Sequence, residues 1–122
     1  MTEDLEQKLY ELFPEIFRDK DKTPQETCMC WGICVGSGWF NILHDLCTKI
    51  MEVAPETIAI QVKEKFGGLR FYYWPHSEAV DKLVSEAEAE ALSTCEYCGT
   101  NTDVTTEGPG WVKTLCKSCR YE

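Results

Sequence analysis

Four of the eight cysteines stand as two spaced pairs, Cys95-x-x-Cys98-Gly99 and Cys116-x-x-Cys119. A C-x-x-C turn aims two sulfurs at one point, and two such turns complete a tetrahedron of soft donors. That geometry suits one Zn²⁺ ion at Zn–S distances of about 2.3 Å. Four thiolates leave no open coordination position, so the ion is expected to be structural and not catalytic. Gly99 permits the tight backbone path after the second cysteine. The spacing predicts a zinc ribbon over residues 95–122 with Cys95, Cys98, Cys116 and Cys119 as ligands. Two redox dithiols or disulfides are the alternative, and a reducing compartment disfavours them.

A chain of 122 residues buries a modest core, for which a metal staple is a sensible supplement. A core over residues 1–94 followed by the ribbon is the expected division. The start, Met1-Thr2-Glu3-Asp4, lacks the basic-then-apolar pattern of a secretory leader. No apolar run approaches the roughly 18 residues a membrane span needs. A cytoplasmic protein without membrane association is therefore expected. The net charge is −9. An acidic surface repels phosphate backbones, which disfavours broad nucleic-acid binding.

Hydrophobic spacing predicts three helices in an α+β fold. Leu5, Leu9, Leu12 and Phe13 share one face of a helix over residues 3–13, with Thr2 as its N-cap. Trp39, Ile42, Leu43, Leu46, Cys47, Ile50 and Val53 mark a second over 38–53, entered through Gly36-Ser37-Gly38. Val80, Leu83, Val84, Ala87 and Ala91 mark a third over 78–92, with Ser77 as its N-cap. Residues 18–27 read as a polar loop, and 28–35 as a short strand or buried turn.

Residues 57–74 read as a β-hairpin on which the three helices pack. Gly67-Gly68 is the expected turn, which pairs Phe66 with Leu69, Glu64 with Phe71 and Val62 with Tyr73. Ile58, Ile60 and Val62 then face the core. The opposite face gathers Lys65 with Arg70, Lys63 with Tyr72, and Gln61 with Trp74. This stretch holds three of the twelve bases and one acid, inside an acidic chain. A guanidinium forks onto phosphate and an aromatic ring stacks on a planar group. Lys63, Lys65, Arg70, Tyr72 and Trp74 are therefore the candidate site for an anionic, nucleotide-like ligand. A solvated face whose lysines protect a sheet edge is the competing reading. Glu64 falls on the apolar face, either at its frayed end or paired with Arg70 or Lys65.

Cys28, Cys30, Cys34 and Cys47, with His44, could form a second metal site. Their spacing is not a zinc knuckle and their neighbours are apolar, which favours buried free thiols. His44 and Cys47 lack an orienting third group, and His76 sits beside a helix start. No paired-carboxylate or glycine-rich phosphate motif is present, so an enzyme is disfavoured.

The run Val62-Lys-Glu-Lys-Phe-Gly-Gly-Leu-Arg-Phe-Tyr72 resembles the signature of a family of small tailed-phage and prophage proteins. Gly36-Ser-Gly-Trp39 and Gly110-Trp-Val-Lys-Thr-Leu-Cys116 resemble that family's other motifs, and the likeness spans about residues 28–119. It implies a setting, the host cytoplasm during infection, and no mechanism. In that setting a non-enzymatic host-takeover or anti-defence factor is expected. Its partner would be an anionic small molecule or a host protein, and a homo-oligomer stays open. An acidic inhibitor of a host enzyme and a zinc-ribbon regulator of nucleic acid are the alternatives.

Overall fold

The computed structural model describes residues 1–121. Among the described residues the fold is mixed α and β: four α-helices, a three-stranded sheet and a two-stranded sheet. Helix α1 spans Glu3–Leu12, and Thr2 caps it by accepting from the Leu5 N–H. Its core face differs from the expected one. Leu9 and Tyr10 are buried and Leu12 is exposed, because the chain turns after Leu12 and packs Phe13, Ile16 and Phe17 beside Tyr10. The Tyr10 and Phe17 rings meet edge-on at 5.4 Å.

The segment before the second helix is mostly turn. A 3₁₀ turn at Met29–Trp31 leads into a two-residue strand, β1, at Ile33–Cys34. A second 3₁₀ turn at Ser37–Trp39 feeds α2, Phe40–Val53. Ile42, Leu43, Leu46, Cys47 and Ile50 are buried along α2, while Val53 at its end is exposed. Helix α3, Glu78–Ala91, starts at Ser77, whose hydroxyl accepts from the Val80 N–H, and lies against α2.

Strands β2, Ile58–Lys65, and β3, Gly68–Trp74, form the hairpin, and β1 adds to β2 in parallel. The turn sits one residue earlier than the double glycine suggests. Phe66 and Gly67 both have positive φ, +54° and +83°, and Lys65 pairs with Gly68. The register becomes Glu64 with Leu69, Lys63 with Arg70, Val62 with Phe71 and Gln61 with Tyr72. Each expected partner moves by two residues, and an even shift preserves which side chains share a face. A bulge between Ala59 and Gln61 then changes the phase. Val62 is buried as expected, but Ala59 takes the core place expected of Ile58 and Ile60, which are half-buried, and Trp74 pairs with Ile58. Ile33, Ala59, Val62, Leu69 and Phe71 turn inward to share one core with the helices.

The two-stranded sheet pairs β4, Val104–Glu107, with β5, Lys113–Cys116. A single-turn helix, α4, follows at Lys117–Arg120. The Arg120 guanidinium folds back over this sheet and donates to the Glu107 and Lys113 carbonyls at 3.0 and 3.1 Å. No helix among the described residues is long and apolar enough to cross a membrane.

Candidate metal centre and basic-aromatic face

Two turns bring four sulfurs together. In the first, the Gly99 N–H returns to the Cys95 carbonyl at 2.9 Å, with Gly99 at φ +83° as the tight path requires. In the second, Cys116 is the N-cap of α4, and its sulfur accepts from the Cys119 N–H at 3.4 Å. The Sγ atoms of Cys95, Cys98, Cys116 and Cys119 lie within 4.8 Å of one another, so the four can hold a metal ion. A tetrahedron with Zn–S bonds of about 2.3 Å has sulfurs about 3.8 Å apart. Cys98 and Cys116 are 3.7 Å apart.

The thiols divide in their acidity. Burial works against the Cys95 thiolate, but backbone N–H groups of Cys98, Cys116 and Tyr97 outweigh it and hold its pKa at about 6. The Cys119 thiol is pushed far up, first by its hydrogen bond to Cys116 and then by burial. One thiolate thus forms readily and opposes the next, and a bound cation removes that opposition.

The metal turn is joined to the rest of the chain at a few close contacts. Trp39 is fully buried and its indole donates to the Thr94 carbonyl at 2.9 Å. The Gly38 N–H donates to the Glu96 carbonyl at 2.7 Å, and the Gly36 N–H to the Glu96 carboxylate at 2.9 Å. A Cβ on Gly38 would lie 2.1 Å from the Cys95 carbonyl oxygen, so only glycine fits that approach.

Glu64 finds neither of its expected partners. Its Oε1 takes the Lys113 ammonium at 2.9 Å and its Oε2 takes the Gly67 N–H at 2.8 Å. Lys113 also reaches the buried Glu96 at 3.2 Å. Beside this bridge, the Thr114 hydroxyl donates to the Gly67 carbonyl at 2.6 Å. A Cβ on Gly67 would lie 2.8 Å from the Thr106 methyl. Gly67 thus serves close contact with β4 and β5 as well as the turn. Lys113, Glu96 and Thr114 were not singled out from the sequence. Their partners lie 17 to 49 residues away, beyond any local pattern.

The outer face of the three-stranded sheet gathers Lys63, Lys65, Arg70, Tyr72 and Trp74, as the preserved face parity requires. Lys63 Nζ sits 5.9 Å from the Tyr72 ring centre. The Arg70 guanidinium donates to the Leu69 carbonyl at 3.1 Å. Burial pushes the Glu88 carboxyl up, and Arg70 partly offsets this. β1 brings the exposed Cys34 to the same face, opposite Lys63.

The remaining cysteines are not uniformly buried. Cys47 is enclosed, and burial alone pushes its thiol far up. Cys28 and Cys30 are half-buried and Cys34 is exposed, because β1 and the turn before it lie at the sheet edge. Among the described residues they form no metal-holding group. His44 instead meets the Phe13 ring edge-on at 5.6 Å. His76 bonds Asp81 at 2.8 Å, and Asp81 also accepts from the Tyr73 hydroxyl. That hydroxyl bond, before the His76 contact, holds the Asp81 carboxyl below the usual carboxylate range.

Comparison with protein-family models, curated proteins and solved structures finds no match to the chain.

Proposed function

We propose that this chain is a zinc-clamped, non-enzymatic binding protein whose open sheet face takes an anionic, planar, nucleotide-like ligand. The observation that carries the reading is a cluster of cations on one sheet face. Acids outnumber bases 21 to 12, yet Lys63, Lys65 and Arg70 stand together there, and like most of the chain's bases they have no carboxylate within ion-pair distance among the described residues. They share one face with Tyr72 and Trp74, both exposed. Unpaired cations beside exposed rings suit a ligand with phosphate and a planar ring.

Zinc fits an all-thiolate set in which Cys98 and Cys116 stand 3.7 Å apart, and its role would be structural because no ligand position is free. The likeness to tailed-phage proteins supplies the setting: host takeover or resistance to host defence, with a nucleotide signal as the ligand sequestered. Calorimetric titration of the zinc-loaded chain with a nucleotide panel tests the reading. Binding that fails in Arg70→Ala supports it, and a panel without any binder overturns it.

The net charge of −9 favours a second reading, an acidic inhibitor of a basic host protein. A salt-sensitive partner recovered from host lysate, with no nucleotide bound, would select it. A nucleic-acid regulator has less support, because residues 95–122 hold four acids against three bases.

A further inference from the structure

The tips of the two hairpins meet at a cleft that the sheet face alone does not account for. The β2–β3 turn has positive φ at both central residues, a geometry that hairpins usually fill with Asn-Gly or Gly-Gly. Phe66 occupies the first position at φ +54°, which a bulky residue adopts only under strain. Its ring is 72% exposed, so core burial does not offset that strain. Facing the same cleft, the β4–β5 loop presents Trp111 at 73% exposure. Between them lies a space of about 210 Å³ lined by Glu64, Lys65, Phe66, Gly110, Trp111 and Val112.

The cleft is preformed. Thr114 holds the Gly67 carbonyl at 2.6 Å and Lys113 holds Glu64 at 2.9 Å, so the tips are fixed to each other. Its polar character is set by Lys65. That ammonium lies 5.6 Å from the Phe66 ring centre and has no carboxylate partner among the described residues. The acid in the wall, Glu64, has both oxygens engaged, by Lys113 and by the Gly67 N–H. The size is informative too. An apolar cavity of about 150 Å³ accepts one benzene, so this space admits one planar ring with a substituent.

We propose that this cleft is the base pocket of a free mononucleotide. Phe66 and Trp111 hold the base by stacking, and Lys65 directs the phosphate toward Lys63 and Arg70 on the sheet. Lys65 and Lys63 lie two residues apart on one face, about 7 Å along the strand. The proposal rests on the reading of that face as an anion site.

The test is calorimetry of the zinc-loaded full chain with 5′-AMP, 5′-GMP, adenosine, guanosine, ribose 5-phosphate and a single-stranded oligonucleotide. At least one mononucleotide is expected to bind tenfold or more tightly than its nucleoside and than ribose 5-phosphate. Phe66→Asn and Trp111→Ala should each weaken it at least tenfold. Asparagine tolerates the left-handed backbone, so Phe66→Asn should melt at or above the wild-type temperature, which separates lost binding from lost folding. Arg70→Ala should remove the preference for phosphate. If Phe66→Asn and Trp111→Ala bind like wild type while Arg70→Ala does not, the cleft proposal falls and the face stands. If binding needs Phe66 but ignores Arg70 and phosphate, the face reading falls. Binding of the oligonucleotide alone, or of no probe, overturns both.

Discussion

Replacing Lys113 with methionine removes the cation that two carboxylates share. The ammonium lies 2.9 Å from Glu64 and 3.2 Å from Glu96. The three side chains are 21%, 13% and 3% exposed, so solvent screens them little. Removing one partner of a buried ion pair costs about 3–5 kcal/mol, because an uncompensated charge remains. Two features pull toward the lower end. Glu64 keeps the Gly67 N–H and Glu96 keeps the Gly36 N–H. One feature pulls up, since two carboxylates then face each other unshielded. A loss of about 3 kcal/mol is expected, a large part of the roughly 5–15 kcal/mol that stabilises a small domain. Urea unfolding at fixed free zinc, followed by circular dichroism, measures it.

The pH response adds a second check on the same bridge. Burial opposes the Lys113 ammonium, but the bonds to Glu64 and Glu96 prevail and raise its pKa above the ordinary lysine value. A raised pKa stabilises the fold below the unfolded value of about 10.4, and that stability is lost as pH rises through the folded value. The gap between wild type and Lys113→Met should therefore hold at pH 7.5 and narrow above about pH 10.5. A loss under about 1 kcal/mol at pH 7.5 would refute the bridge as a main tie between the hairpin and β5.

Other outcomes follow from the contacts. Gly38→Ala puts a methyl 2.1 Å from the Cys95 carbonyl, so the knuckle must move. A loss of about 3 kcal/mol and faster zinc release to a chromogenic chelator are expected, since overpacking alone costs about 1–3 kcal/mol. Maleimide labelling followed by mass spectrometry should modify Cys34 first and spare Cys47, whose burial disfavours the reactive thiolate. Adding a chelator should expose four further thiols, at Cys95, Cys98, Cys116 and Cys119. Acidification should release the metal as pH falls. Protons compete with the ion for the four thiolates. A zinc-sensitive dye titrated from pH 8 to 4 reads this directly.

The parts that were legible from sequence obey local rules. The two C-x-x-C turns act over four residues each, and their spacing alone picks out the four cysteines whose sulfurs come together. Helices α2 and α3 follow from apolar residues recurring every three or four positions. The basic-aromatic face was legible despite a misplaced turn, because a shift by two leaves face parity intact. The turn itself was hidden by a rule that usually works. Gly-Gly accepts positive φ freely and phenylalanine does not, so that rule places the turn at Gly67-Gly68. The bulge between Ala59 and Gln61 and the Glu64–Lys113–Glu96 bridge were illegible for another reason. Each is settled by packing between segments distant in the chain, on which strand alternation and helical periodicity are silent.

The proposed clamp is one zinc ion, held by four thiolates, that closes the C-terminal ribbon beside the hairpin. Native mass spectrometry of the purified chain reads it out. The expected spectrum shows one zinc per chain, retained through buffer exchange, and lost together with the ribbon's fold when any one of the four cysteines becomes serine. A chain without metal, a second ion, or a different metal in the same site would contradict it.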